Sequence, residues 1–422
     1  MTSPELGLNF GAWLDFAGGR TELFFAAVFG LVALLALVYS LARVRGSAGQ
    51  LVEYYVFVLL LVAAGLGVVY ARNLLIVFAC WEIATVAVWR LVAFHRRERD
   101  ATAGAWALYV NFAAAAVMLV GFVMFLLEFG TLSLDELSWF ELPAVPSALV
   151  LVGILAKSAT LPLYIWLPKA YDSAPAPVCA LLSGIAESLG VVLFLKLFVL
   201  SAGMPLGFAL FCGGLAVVSS LIAGGVALRS DTVRGVLAYS TVSQLGFILL
   251  GIAMGGRSGL IGALLYVLAH SVAKAGLFLS AGAIEDSAGT GELNRLGGFA
   301  RRAPVMAGAF AILILSVMGM PPLAGFFAKV GVIVAAVRQS LVLGAGVVVA
   351  ALLTLLYLSR LFLKVFLGQP AESAGPTGAM GHVSRVATVM VVVAALVSVA
   401  GGVLWFAPAW FVEPGLFVGG LP

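Results

Sequence analysis

Residues 151–170 read LVGILAKSATLPLYIWLPKA. An apolar run long enough to enter a bilayer carries a lysine, Lys157, and meets Pro162 five residues later, with Pro168 beyond. Residues 319–332, GMPPLAGFFAKVGV, repeat the theme: Met320-Pro321-Pro322 interrupts the run 305–337, and Lys329 follows seven residues after Pro322. Proline removes a backbone donor and clashes with the preceding turn, so both runs are expected to break there. At such breaks, freed carbonyls and water solvate a charge that an unbroken helix would leave bare. Broken helices in both halves of a chain are the sequence feature that points to a transport site.

The rest of the sequence fits a chain folded in lipid. It has 422 residues, 63% of them apolar and 10% charged (23 Lys+Arg, 19 Asp+Glu), where a soluble domain carries roughly 25% charged residues. Mean hydropathy is +1.16. A soluble enzyme, a disordered protein and a secreted disulfide scaffold are excluded. A crossing helix needs about 20 apolar residues. Candidate spans lie near 22–42, 52–71, 74–94, 104–128, 147–167, 176–200, 206–228, 235–254, 258–284, 305–337, 342–367 and 386–407, twelve in all. Long β alternation is absent, which argues against a membrane barrel. Cys80, Cys179 and Cys212 sit in apolar stretches at no metal-ligand spacing and read as small buried hydrophobes. Met1 to Arg20 has no cleavable signal-peptide pattern.

Loop charges set the expected orientation. Arg43, Arg45, Arg96, Arg97, Arg99, Lys169, Arg229, Arg234, Arg295, Arg301, Arg302 and Arg385 fall on one side; Arg20, Arg72, Arg257 and the acidic loop with Asp135, Glu136 and Glu141 fall on the other. The first side is expected to be cytoplasmic and both termini to face outward. The net charge of +4 includes no basic run interleaved with aromatics, so no nucleic-acid partner is expected.

An ionisable group at mid-membrane costs several kcal/mol, so the exceptions are informative. They are Glu82, Lys157, Glu187 with Lys196 on one helix, His270 with Lys274, and Lys329; Arg360 and Lys364 lie near the end of their span. Tyr266, His270 and Lys274 are spaced by four and line one helix face, as do Ser183 and Glu187. Each has a plainer reading. Arg360 and Lys364 snorkel to the cytoplasmic interface and Lys196 outward. Glu82 pairs with Arg90 or Arg72, His270 is a satisfied core histidine, and Glu187 is a fixed counter-ion. Burial makes an ammonium shed its proton more readily and a nearby carboxylate reverses this, so a moving Glu–Lys pair would load and unload a proton. The chain has no Walker A, HExxH, CxxC or dinucleotide fingerprint, so neither cofactor nor metal is expected and any energy input must come from a partner or a gradient.

Five stretches carry a family resemblance: AKSATLPLYIWLPKAYDSAPAPVCALLSG from 156, SDTVRGVLAYSTVSQLGFILLGIA from 230, LAHSVAKAGLFLSAG from 268, RLGGFARRAP from 295 and GMPPLAGFFAK from 319. From about residue 70 to 366 the sequence resembles the antiporter-like membrane subunits of respiratory complex I, Mrp-type sodium/proton antiporters and group 4 membrane-bound hydrogenases. That resemblance implies two inverted five-helix repeats, each with a broken helix, in a family that usually has fourteen helices. Glu82 matches the family's fifth-helix glutamate and Lys157 the lysine of the broken seventh helix, forming an ion pair. His270 and Lys274 match the polar residues of the eleventh helix, and Lys329 the exit lysine of the broken twelfth. Asp231, Arg234, Tyr239, Ser240 and Gln244 fall in the tenth-helix signature and would shape the second half-channel.

The sequence departs from the pattern in three places. Two helices precede the Glu82 helix where the family has four, so the first helix resembles the family's third. Ser183 stands where one subtype has histidine, and Glu187 where others have lysine. An acid there would either relay protons between Lys157 and Lys274 or lock Lys157.

The expectation is therefore an all-α polytopic membrane protein of about twelve spans, without the family's first two helices. Residues 1–50 form an N-terminal helix, 51–200 and 206–367 the two repeats, and 368–422 a C-terminal helix. The resemblance implies a proton-translocating, non-redox subunit of a larger complex in a bacterial or archaeal-type energy-transducing cell membrane. Its partners would be other membrane subunits in a hetero-oligomer. The alternatives are an Mrp-type cation/proton antiporter, a proton-driven inorganic-carbon uptake module and a non-conducting structural subunit.

Overall fold

A computed structural model describes residues 15–16, 18–369 and 383–411. The expected outward-facing termini, and parts of the 1–50 and 368–422 segments, lie outside those residues. In chain order the helices of eight or more residues are α1 (Arg20–Arg43), α2 (Ala48–Tyr70), α3 (Leu74–Val92), α4 (Glu98–Phe129), α5 (Ala144–Lys157), α6 (Trp166–Ser173), α7 (Ala176–Ser201), α8 (Leu206–Arg229), α9 (Val233–Met254), α10 (Gly256–Ala288), α11 (Pro304–Met318), α12 (Ala324–Gln339), α13 (Leu341–Leu367) and α14 (Arg385–Val403). Ten of these are long and apolar enough to cross a membrane. The two remaining expected spans, 147–167 and 305–337, are the interrupted pairs α5/α6 and α11/α12. No strand occurs among the described residues. α4 starts earlier than the expected 104, because Glu98 and Asp100 favour its positive N-terminal end and Arg97 binds Asp100 at 2.7 Å.

Burial sorts the helices. The apolar window of α7 is wholly buried, and those of α9 and α10 are 94% and 89% buried, while α13 and α14 leave about two thirds open. The helices carrying Glu187, Gln244, His270 and Lys274 are thus the most enclosed, and the more open helices pack around them. α7 is not uniform: it winds as π-helix over Leu182–Ala186 and Lys196–Ser201, and the Glu187 amide donates to Leu182 rather than to Ser183. Such wide turns lie frequently at functional positions.

Both breaks account for the backbone groups they free. α5 ends at Lys157; Ala159 turns the chain at φ +45°. Ser158 and Thr160 amides return to Ile154 and Leu155, and the Ala156 carbonyl accepts from the Ala159 amide at 3.1 Å and from the Trp166 indole at 2.9 Å. The Leu161 amide finds Ser219 Oγ on α8 at 3.2 Å. α11 ends at Gly319, whose φ of +83° favours glycine, and the Met320 amide returns to Leu315.

Two loop bridges repeat one pattern. Leu74 and Leu134 amides donate to Leu132 and Arg72 carbonyls at 2.9 and 2.8 Å, and Val233 and Leu293 amides donate to Gly291 and Asp231 carbonyls at the same distances. Asn73 caps the helix after the first bridge and Thr232 the helix after the second.

Candidate functional site

The first cluster lies where α5 stops against α3. Lys157 is buried, and its Nζ donates to Thr85 Oγ1 at 2.5 Å and to the Trp81 carbonyl at 3.5 Å. The amine lies 5.0 Å from the centre of the Trp81 ring. Glu82, on the same turn of α3, acts electrostatically on Lys157. The two make no direct ion pair, and both Glu82 oxygens are buried without a hydrogen-bond partner. This corrects the contact pairing expected for them: because α5 ends at Lys157, the amine reaches the Trp81–Thr85 turn first. The plainer partners for Glu82 are already occupied, Arg90 by Glu53 and Arg72 by Asp135.

The second cluster is a ladder between antiparallel α9 and α10. Lys274 Nζ donates to Ser240 Oγ and, at 2.9 Å, to the Leu237 carbonyl. One turn away, both ring nitrogens of His270 are buried and unpartnered. At the next turn the Tyr266 hydroxyl donates to Gln244 Oε1. Gln244 Nε2 in turn donates to Tyr357 Oη at 2.7 Å and Thr354 Oγ1 at 3.2 Å, both on α13. The spacing-by-four reading of Tyr266, His270 and Lys274 thus corresponds to one polar face. Glu187 enters from α7: its Oε1 accepts from the Tyr171 hydroxyl at 2.5 Å, its Oε2 is unpartnered, and its charge and that of Lys274 act on each other.

The third cluster is Lys329. Its Nζ donates to the Met318 carbonyl at 3.3 Å, across the break, and lies 4.7 and 6.0 Å from the ring centres of Phe247 and Tyr266.

Other expected residues fall elsewhere. Asp231 is exposed ahead of α9 and binds Arg360 at 3.0 Å. Tyr239 is half-buried, edge-on to Tyr164. Ser183 donates to Ala180 inside its own helix. Arg234 binds Glu285 at 2.7 Å and the Tyr171 and Ala174 carbonyls at 3.1 and 2.6 Å, so it fastens the α6–α7 joint. Lys196 is buried rather than snorkelling: it donates to the Val68, Val69 and Ala71 carbonyls, where the negative end of α2 supplies acceptors. Thr85, Tyr171, Thr354 and Tyr357 were not legible as site residues, because hydroxyls cost little in an apolar run and carry no signal until a partner is placed beside them.

A vestibule of about 770 Å³ opens over the α6–α7 joint, lined by Arg43, Arg97, Arg99, Arg234 and the facing acids Asp172, Glu285 and Asp286. His95 lies on its wall; desolvation first, then Arg97, pushes the imidazole below its usual value. Among the described residues no group of His, Cys, Asp and Glu has metal-site geometry.

The family described as "NADH:quinone oxidoreductase/Mrp antiporter, TM" matches residues 71–354. The chain belongs to that family. It is 32% identical over 381 residues to NADH-quinone oxidoreductase subunit N of Desulforudis audaxviator, covering 86% of this chain and 75% of that one. It is 30% identical over 400 residues to an Na(+)/H(+) antiporter subunit of Alkalihalophilus pseudofirmus, covering 87% of this chain and 49% of that one, so it spans about half of that relative. Among solved structures, the Mrp complex from Dietzia sp. DQ12-45-1b superposes with a TM-score of 0.84 at 24% identity, over 96% of this chain and 85% of that one, which shows the fold. The membrane-bound sulfane sulfur reductase, an archaeal respiratory membrane complex, gives 0.82 at 26% identity, over 92% of this chain and 65% of that one. The protein is accordingly a multi-pass, antiporter-like membrane subunit of the kind found in complex I, Mrp and related respiratory complexes, and its relatives work in multi-subunit assemblies.

Proposed function

We propose that the chain carries protons across the membrane as a non-redox subunit of an energy-converting complex. Protons taken up from the arginine-rich side, which the positive-inside rule assigns to the cytoplasm, load Lys157. They pass by Glu187, His270 and Lys274, and leave outward from Lys329. Glu82 holds the charge on Lys157 when a neighbouring subunit brings the two together, and releases it when they part. Two inverted repeats, near 51–200 and 206–367, supply the two half-channels; the matching bridges at Asn73 and Thr232 support that division.

The observation that carries the reading is the ladder between α9 and α10. Glu82, Glu187 and His270 keep buried polar atoms for which no side chain serves as partner, and buried polar groups in native proteins are paired, with internal water where protein supplies none. A hydrated file meets that need. The similarity to an Na(+)/H(+) antiporter favours sodium/proton exchange as the second reading, with the same residues.

The test is proton translocation by the assembled complex in sealed vesicles. Lys157→Met and Lys274→Met are each expected to lower it at least about tenfold while electron transfer partly survives. If both pump at the unsubstituted rate, the proposal is wrong.

A further inference from the structure

A second cavity, of about 500 Å³, is lined by none of the residues of the proton file. It sits where the ends of α7, α9 and α12 meet the starts of α8 and α10, on one face of the helix bundle. Its volume is that of a small-molecule site, about 300–1,000 Å³. Phe198, Met204, Ile252, Leu260 and Ala335 give it an apolar wall. Its polar groups are Arg257 and Ser258 at the start of α10, and Arg338 and Gln339 at the end of α12. The backbone keeps the space open. Gly255 and Gly256 turn α9 into α10 at φ of +62° and +64°, and a Cβ on either would meet nothing within 4 Å.

Charge sets this cavity apart. The vestibule over the α6–α7 joint faces its arginines with Asp172, Glu285 and Asp286, and the small cavity beside Lys196 faces Arg72 with Glu22 and Asp135. Here two arginines line the space, and no acid does among the described residues. Arg338 takes part in none of the ion pairs between described residues. α10 begins without a side-chain cap, so its first amides add donors at the same edge. The occupant that fits has an anionic head for the guanidinium forks and an apolar body for the wall, and it reaches the ends of helices set in lipid. We propose that the cavity binds an anionic phospholipid, its phosphate held by Arg257 and Arg338 and an acyl chain laid against Phe198, Met204 and Ile252. Basic pockets between membrane helices hold such headgroups. A zwitterionic lipid fits less well, because its own cation would face the two arginines.

This site is independent of the proton-file reading. The test places the assembled complex in vesicles that hold a trace of phosphatidylglycerol with a photoreactive group in its acyl chain, and maps the label by mass spectrometry. Label is expected on residues 198–209 and 252–260, at least about fivefold above that from the matching phosphatidylcholine. Arg257→Gln with Arg338→Gln is expected to lower that label at least about fivefold and to leave label on the open face of α13 unchanged. Excess inorganic phosphate is expected not to displace the lipid, because it has no apolar part to fill the wall. Equal label from the two lipids overturns the proposal, since the cavity then belongs to the ordinary lipid ring. Full label in the double variant also overturns it, and displacement by inorganic phosphate assigns the site to a free anion instead. If the double variant fails to assemble, the comparison of the two lipids on the unsubstituted complex decides.

Discussion

Lys157 and Lys329 both belong to interrupted helices, yet they are held in different ways. Lys157 ends its half-helix and reaches across to α3, where a hydroxyl, a carbonyl and the charge of Glu82 meet it. Lys329 sits on the second half-helix and reaches back over the break to one carbonyl, between two aromatic rings. No carboxylate acts on Lys329 among the described residues. A buried ammonium is stabilised by an opposite charge and by hydrogen bonds, and rings supply only a small part of that. In the proposed proton path this difference makes Lys157 the residue that holds a charge and Lys329 the one that lets it go.

The largest effects should come from removing proton release altogether. Arginine stays charged, so Lys157→Arg and Lys329→Arg are each expected to lower proton transport by about a hundredfold or more; an active Lys329→Arg would break the parallel between the halves. Next comes the asymmetry. Glu82→Gln is expected to cut transport about tenfold, and Thr85→Val several-fold with recovery in Thr85→Ser, measured in the same vesicles. The third effect is on stability. A Cβ on Gly325 would stand 1.8 Å from the Ser316 carbonyl oxygen, and one on Gly190 2.7 Å from the Ile154 carbonyl oxygen, each at its own break. Gly190→Ala is expected to cost about 1–3 kcal/mol and Gly325→Ala more, read as thermal unfolding in detergent. The smallest effect belongs to a buried lysine outside the file. Lys196→Met loses three carbonyl contacts, should cost about 1 kcal/mol, and should leave transport within about twofold.

Much of this was legible along the chain. Pro162 and Met320-Pro321-Pro322 mark the two interruptions because proline cannot continue a helix, and the spacing of Tyr266, His270 and Lys274 gives their shared face. What was not legible is contact. Glu82 and Lys157 are far apart in sequence, and nothing in either stretch says that Thr85 takes the amine and leaves the carboxylate unpartnered. Lys196 shows the same gap. A lysine near a helix end reads as a snorkelling one, and only the neighbouring end of α2 makes it a buried cap. Thr354 and Tyr357 look like ordinary residues of an apolar span until α13 is set beside Gln244.

By itself, then, the sequence determined which segments lie in lipid, where two of them break, and which few charges fall within them, because hydrophobicity and proline geometry are local properties. Only the tertiary structure decided which helices surround those charges, which hydroxyls and carbonyls receive the amines, and that the Tyr171 hydroxyl meets Glu187. Those depend on how helices distant in the chain meet, and a hydrogen bond forms only between groups that packing has already brought within reach.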